Sequence, residues 1–214
     1  YLTKSSDPDS LIEAVRQAPA PVLDLRELGL DCLPVANLAQ RQAAIATVLG
    51  QLKYLPFDRR QQLAMQIRRQ AGATAGAPAM LSTAQLRQLQ AAGMELGAHT
   101  VSHPILSTLP EQEARLDIAN GKHQLESLIQ APVTLFAYPN GRPDQDYRAC
   151  HVAMVRAAGF RAAVSTAQGV ATASSDPFQL PRFTPWGQSM LKFSLQLARM
   201  LAGRPTSVAL AEAV

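Results

Sequence analysis

Two histidines four residues apart are the side chains in this sequence whose types and spacing most readily suggest chemistry. His99 and His103 lie in the segment Gly97-Ala98-His99-Thr100-Val101-Ser102-His103-Pro104. Two imidazoles at this spacing can reach one ion if the chain between them makes one turn, and neutral imidazole is a common ligand of zinc and related divalent cations. Thr100 and Ser102 add hydroxyls that can bond the local backbone and shape such a loop. Because the same spacing also arises by chance, a pair of structural histidines is the alternative interpretation.

The elements predicted around these histidines place them at the end of a strand. From residue 82 onward the pattern reads helix, strand, helix, strand, helix, strand, which indicates βα units and a parallel sheet. The strands are predicted at 94–98, 133–137 and 160–165, with a further short strand at 180–183. Since His99 directly follows the first strand, we expect the pair at the carboxyl ends of the strands, where active sites of α/β folds collect.

The preceding part of the sequence indicates mainly helices. A short helix is predicted at 11–17, a short strand at 22–25, and a long helical pattern from Asn37 until Pro56 breaks it. Asp58 is the predicted N-cap of the next helix. Three side chains of that helix are expected to face inward: Leu63, Met65 and Ile67.

The histidine segment resembles a known family motif. His99 to Pro104 read H-T-V-S-H-P, similar to H-[ST]-x-x-H-P, the second motif of the polysaccharide deacetylase (NodB-homology, carbohydrate esterase) superfamily. Ala137-Tyr138-Pro139-Asn140-Gly141 resembles its third motif, R-x-P-Y, with Pro139 kept, Ala137 in place of the Arg and Asn140 in place of the Tyr. The form F-A-Y-P-N-G is similar to that of a bacterial subgroup that includes proteins of exopolysaccharide gene clusters. The resemblance is good over 80–187 and loose over 1–79.

This resemblance implies an α/β fold, an irregular TIM-like (β/α) barrel, and hydrolytic removal of N-acetyl groups from an N-acetylated polysaccharide. It implies a divalent metal, for which we expect zinc, that polarises the acetamido carbonyl and activates a water. By position, His99 and His103 are the implied metal ligands, Pro139 shapes the oxyanion site, and the Asn140 N–H helps to hold the oxyanion. We interpret 1–214 as a single catalytic domain, with residues 37–70 as a helical insertion within it.

Two family motifs find no match in this chain. The acidic first motif, [TS]-F-D-D-G, should supply the third metal ligand and the catalytic base, but Asp24 lacks the following Asp-Gly. We therefore expect about 30–50 preceding residues, one βαβ unit, to carry it, and we expect the chain as given to be an inactive fragment that binds metal weakly. The C-terminal Leu-x-His has no counterpart either.

Several other polar residues keep two interpretations. Arg182 could bind a sugar or be a surface charge, and Trp186 could stack on a sugar ring or cover the barrel end. Tyr138 could line the sugar pocket, although packing at the strand end is favoured. Asp144 and Asp146 are expected to cap the following helix, with substrate contact as the alternative. For the remaining histidines, a solvated His123 and a structural His151 are favoured.

Composition excludes some classes of function. The formal net charge is +4 and no Lys/Arg run concentrates it, so a nucleic-acid partner is not predicted. No apolar stretch of about 18 residues is present, so no membrane span is predicted. Cys32 and Cys150 fit no metal spacing and are interpreted as two buried free thiols. The cell envelope and the cytoplasm of a bacterium both stay open as locations.

The alternatives to an enzyme are two. A degenerate deacetylase-like protein would bind polysaccharide without hydrolysis, as Ala137 in place of the Arg and the unmatched Leu-x-His suggest. A metal-independent interaction module would use His99 and His103 structurally. The metal content of the protein separates this metal-independent module from the metal-dependent enzyme.

Overall fold

The computed structural model describes residues 8–72, 81–183 and 189–202. The chain divides into two compact units, Tyr1–Ser82 and Thr83–Val214. Each unit is described by itself below. The interpretation of residues 37–70 as an insertion within a single domain stays a prediction.

The first unit packs three helices with a two-stranded hairpin. Its elements are α1 (Pro8–Gln17), β1 (Val22–Asp24), β2 (Cys32–Pro34), α2 (Leu38–Leu52) and α3 (Phe57–Gln70). The strands pair antiparallel, with Leu23 opposite Leu33. Asn37 is the N-cap of α2 and accepts a hydrogen bond from the Gln40 N–H at 2.9 Å, as expected for a residue of this type before a helix. The guanidinium of Arg41 on α2 donates to the carbonyls of Val15 and Ala18 around the C-terminal end of α1, where a cation is favoured.

Three predictions for this unit were wrong in detail. Asp58 is not the N-cap of α3, because the N-cap is Pro56 and the helix begins at Phe57. Met65 is 45% exposed, whereas Leu63 and Ile67 are buried, since residues four apart share a helix face and the residue between them lies opposite. Strand β2 was not predicted because it ends in Pro34, and proline argues against a strand except at an edge or an end.

The second unit contains the predicted alternation of helices and parallel strands. Its elements are α4 (Thr83–Ala91), α5 (Glu111–Ile129), β3 (Leu135–Ala137), α6 (Ala149–Ala157), β4 (Ala162–Val164) and α7 (Met190–Ala202). Strands β3 and β4 pair parallel, with Phe136 opposite Ala163. The α/β fold class is therefore confirmed, and the described residues form an open parallel array without a closed barrel.

The two outer positions of this array are occupied by single bridging residues instead of strands. Ala98 forms a parallel bridge with Phe136, and Leu180 forms one with Val164. Ala98 makes both ladder bonds itself, because its N–H donates to the Leu135 carbonyl and its own carbonyl accepts from Ala137. The predicted strands at 94–98 and 180–183 are thus correctly located and too long. Ala98 and β3 are parallel neighbours, so the loop after Ala98 and the loop after β3 begin side by side at the carboxyl ends.

The core of the second unit lies between this array and helices α5 and α6. Phe136 is buried at its centre, with the rings of Tyr138 and Phe160 at 5.2 and 5.1 Å between centroids. From α5 and α6, Ile118 and Val155 are fully buried. Burial of such side chains is the main stabilising term in a unit with so few strand bonds.

Two smaller expectations concern the cysteines and the membrane. Cys32 and Cys150 are free thiols as predicted, but Cys32 is exposed because β2 turns only Leu33 inward. Cys150 is half-buried. Among the described residues, no helix combines the length and apolar character that crossing a bilayer requires.

Truncation of α5 at its buried face should destabilise the fold. We expect Ile118→Ala to lower the free energy of unfolding by about 3 kcal/mol, because it leaves a cavity at a fully buried position. Leu116→Ala on the same helix, where the side chain is 53% exposed, should change it by less than about 0.5 kcal/mol. Urea unfolding of both variants measures the difference, and equal losses would contradict the described packing of α5.

Candidate functional site

The histidine loop leaves the array directly after the bridging residue Ala98. His99 is half-buried, and its Nδ1 lies 2.7 Å from the carbonyl oxygen of Ala137 at the end of β3. Because a carbonyl only accepts, Nδ1 carries the proton and the lone pair is on Nε2. A bond of this kind commonly fixes the tautomer and orientation of a metal-binding imidazole.

The two imidazoles that the sequence paired lie next to each other. The ring centroids of His99 and His103 are 4.7 Å apart, and the ring planes meet at 69°. Burial lowers the pKa of His99, against the opposite effect of the Ala137 carbonyl, and the positive charge of Arg182 acts in the same direction as burial. The neutral form of His99, which is the form that binds a metal, is therefore favoured.

The loop between these histidines is held by its own hydroxyl groups. Thr100 adopts a left-handed backbone conformation with φ 63°, and so does His103 with φ 52°. The Thr100 hydroxyl donates to the His99 carbonyl at 2.5 Å and accepts from the His103 N–H at 3.1 Å. Ser102 donates from its N–H and its hydroxyl to the two carboxylate oxygens of Asp117 on α5, at 3.4 and 3.3 Å. The hydroxyls thus shape the loop as the sequence indicated.

Two neighbouring imidazoles are side chains of the kind that can bind a divalent cation. Zinc sites normally take three or four protein ligands. Within residues 8–72, 81–183 and 189–202, no third His, Cys, Asp or Glu joins the two histidines in a group that could hold a metal. The described residues therefore offer two imidazoles here, fewer ligands than a zinc site normally takes.

The second predicted segment forms a tight turn at the end of β3. Pro139 is buried and Asn140 is half-buried, and Asn140 and Gly141 have φ of 58° and 75°. Thr166, which follows β4, fixes the turn: its hydroxyl donates to the Asn140 carbonyl and its N–H to the Gly141 carbonyl, both at 2.8 Å. No hydrogen bond joins the Asn140 N–H to another residue in the part of the chain that the structure describes. The turn and the histidine loop leave adjacent parallel strands at the same edge.

The predicted sugar-binding residues differ in their surroundings. Tyr138 is buried, donates its hydroxyl to the Phe178 carbonyl at 2.9 Å and stacks on Tyr147 with centroids 3.9 Å apart. This is the packing role that the sequence favoured, so we give Tyr138 no part in the site. Arg182 is exposed and close enough for its charge to act on His99. Trp186 lies outside the described residues.

The aspartates after the turn do not cap the following helix. The N-cap of α6 is Arg148, whose N–H donates to Nδ1 of His151 at 2.9 Å, so His151 is buried and structural, as favoured. Asp146 is fully buried, and its Oδ2 accepts from the Arg142 N–H at 3.0 Å. This hydrogen bond joins the two ends of the loop 142–146. The capping prediction was wrong because the N-cap position falls on Arg148, two residues after Asp146, and the His151 ring accepts the Arg148 N–H there.

Sequence reasoning missed two residues that contact the histidine loop from α5. Asp117 binds Ser102, and Gly121 approaches the Thr100 backbone. Nothing in the local sequence distinguishes them, because an acid and a glycine in an amphipathic helix are common. Their role becomes visible only when the loop packs on the helix.

Residues 59–163 match the family model for polysaccharide deacetylases. Among solved structures, the deacetylase PplD of Streptococcus pyogenes, in complex with acetate, is 23% identical, with 63% of each chain covered and a TM-score of 0.51. The BpsB deacetylase domain of Bordetella bronchiseptica is 18% identical, with 52% of this chain and 56% of that chain covered and a TM-score of 0.42.

A third structure, the polysaccharide deacetylase BC0361 of Bacillus cereus, is 16% identical, with 82% of this chain and 56% of that one covered and a TM-score of 0.42. We argue the fold from PplD alone, because the other two scores are below 0.5, and this likeness confirms the deacetylase-type α/β fold. The chain spans 63% of the length of PplD. No curated protein matches the chain significantly.

The turn after β3 should not tolerate a side chain at Gly141. A Cβ there would lie 3.0 Å from the Tyr138 carbonyl oxygen and 3.1 Å from the Thr166 nitrogen, in addition to the left-handed φ. Gly159 has a similar φ of 81° but open space around a Cβ. We expect Gly159→Ala to cost about 1 kcal/mol from the backbone alone and Gly141→Ala about 3 kcal/mol. Urea unfolding tests this, and equal costs would mean that the turn is less tightly held.

Proposed function

Since residues 59–163 belong to the polysaccharide deacetylase family, we propose that this chain carries part of the active site of a metal-dependent hydrolase. The substrate is an N-acetylated polysaccharide, and the reaction releases acetate from its acetamido groups. His99 and His103 are the metal ligands, with zinc as the expected metal. The whole protein's substrate and partners are part of this proposal.

The observation that carries the proposal is the arrangement of the two imidazoles. Their ring centroids lie 4.7 Å apart in the loop that follows Ala98, and the Ala137 carbonyl orients the His99 ring with its lone pair on Nε2. This tautomer and this proximity are what a pair of metal-binding imidazoles requires. A bound divalent cation would supply Lewis-acid polarisation of an amide carbonyl and a water of lowered pKa.

The turn after β3 is suited to stabilising the oxyanion that forms during amide hydrolysis. A tetrahedral intermediate develops negative charge on the former carbonyl oxygen, and backbone N–H groups held in advance stabilise such charge. The Asn140 N–H is the proposed donor, because Thr166 and the buried Pro139 hold the turn rigid around it. Pro139 shapes the turn and takes no part in proton transfer.

Substrate contacts are proposed at the open side of the site. Arg182 is exposed beyond Leu180, and its backbone N–H is tied to the Ala167 carbonyl at 2.8 Å. The guanidinium of an arginine at this position can donate to sugar hydroxyl groups or to an acid on the polymer. Trp186 is the second proposed contact, through stacking on a sugar ring.

The second candidate function is polysaccharide binding without hydrolysis. It is favoured by Ala137, which has no side-chain donor where the family motif has an arginine, and by the two-ligand site within the described residues. Acetate release from an N-acetylglucosamine oligomer separates the two functions. Acetate released by the metal-loaded protein would exclude the second.

Removal of either imidazole should abolish stable metal binding. We expect His99→Ala and His103→Ala each to lower zinc affinity by a factor of at least about 100, because each substitution removes one of the two nitrogen ligands. Both variants should remain folded. Equilibrium dialysis followed by metal analysis measures the loss.

The matched control is His123→Ala, since His123 is an exposed histidine on α5. It should bind zinc like the unaltered chain. If the variants at 99 and 103 held as much zinc as the control, the assignment of the ligands would be refuted.

A further inference from the structure

Helix α5 touches the backbone of the histidine loop at one glycine. A Cβ at Gly121 would lie 2.8 Å from the carbonyl carbon of Thr100, 3.0 Å from its Cα and 3.1 Å from its carbonyl oxygen. All three are main-chain atoms, so no rotation of a side chain could relieve the contact. The loop between the two histidines can occupy its present position only because residue 121 has no side chain.

A second contact lies one helical turn earlier on the same face of α5. Asp117 precedes Gly121 by four residues, and its two carboxylate oxygens accept from the N–H and the hydroxyl of Ser102. Residues four apart on a helix face the same side. Two successive turns of α5 therefore hold Thr100 and Ser102, which lie between the two histidines, each next to one of them.

The loop needs such external support. Thr100 is β-branched and has φ 63°, and His103 has φ 52°. Backbone conformations of this kind are unfavourable for such residues and persist only when the surrounding structure holds them. The bonds of the Thr100 hydroxyl act within the loop, whereas the contacts to α5 fix the loop relative to the fold.

We propose that α5 positions the two metal ligands, with Gly121 and Asp117 as the positioning residues. This inference rests on the proposed function, because its readout is metal binding by His99 and His103. Neither residue would touch the metal. Ligand distances in metal sites must hold to within about 0.2 Å, so a displacement of Thr100 by a few tenths of an ångström is enough to misalign the flanking imidazoles.

The first test replaces Gly121 by alanine. We expect Gly121→Ala to raise the Kd for Zn²⁺ about 10- to 100-fold, the range typical of residues that orient ligands. The ligand-field spectrum of bound Co²⁺ should change as well, which a purely structural loss of folded protein would not cause. Affinity is measured well below the melting temperature.

Gly50→Ala is the matched control for this substitution. Gly50 is also a helical glycine, in α2, and a Cβ there meets no atom within 4 Å. It should leave both the Kd for Zn²⁺ and the Co²⁺ spectrum unchanged. An unaltered Kd in Gly121→Ala would overturn the role of Gly121.

A second pair of variants keeps the test decisive if Gly121→Ala fails to fold. Asp117 is half-buried, so Asp117→Ala should fold, and we expect it to raise the Kd for Zn²⁺ about tenfold. Asp117→Asn retains one acceptor oxygen for Ser102 and should restore part of the affinity. Glu113→Ala removes the same charge from an exposed position of α5 and should leave the Kd unchanged.

The outcomes separate this inference from the proposed function. Loss of zinc in His99→Ala together with unaltered affinity in Gly121→Ala and Asp117→Ala would overturn the inference alone. Equal weakening by Asp117→Ala and Glu113→Ala would also overturn it, because it would indicate a general effect of charge. Zinc retained by His99→Ala, or none bound by the unaltered chain, would refute the proposed function and the inference with it.

Discussion

The candidate site depends on the backbone of a single residue, Ala137. Its N–H donates to the Ala98 carbonyl at 2.9 Å, which joins β3 to the residue before the histidine loop, and its carbonyl accepts from Nδ1 of His99 at 2.7 Å. The pairing of β3 with Ala98 and the orientation of the His99 ring are therefore coupled through the backbone of Ala137. Any shift of β3 relative to Ala98 would move the ring, so the geometry of the site is inherited from the sheet.

The sequence places the histidine pair at a strand end correctly because the determinants of that placement are local. The alternation of helices and strands and the spacing of His99 and His103 require no knowledge of distant contacts. The bond to Ala137 is made by a backbone carbonyl 38 positions away, and every residue except proline offers the same main-chain groups. For that reason the sequence indicated the pair of histidines but not what orients them. The contacts from Asp117 and Gly121 were missed for the same reason.

The predictions that failed did so where tertiary packing decides between local options. Met65 is as apolar as Leu63 and Ile67, yet of these three side chains it alone faces away from the core of the first unit. Asp146 has the chemistry of a helix cap but is buried beneath the loop that it closes. Tyr138 is a different case, because the stacking of its ring on Tyr147 is the packing role that the sequence favoured. Burial raises the pKa of Tyr138 and that of Tyr147, the latter to about 12, so both hydroxyls remain donors.

This buried tyrosine pair also connects the core to the open side of the site. Tyr138 donates to the Phe178 carbonyl and Tyr147 to Oε1 of Gln179, and these residues form the short 3₁₀ turn that leads into Leu180. Leu180 then bridges to β4 and sets the start of the segment that carries Arg182. Arg182 is exposed, but its backbone is held by interactions that originate in the core.

The positions of the unfavourable backbone conformations are a separate observation that points to the loops after Ala98 and after β3 as a site. Five described non-glycine residues have positive φ, and all but Gln130 lie in the loops that follow Ala98 and β3: Thr100, His103, Asn140 and Asp144. Gln130 ends α5, where a left-handed residue is an ordinary helix terminator. The others have no such explanation from secondary structure, and strain of this kind clusters where a fold must present groups in one fixed geometry. The fold thus concentrates its unfavourable conformations at the strand ends where the imidazoles and the Asn140 N–H are presented.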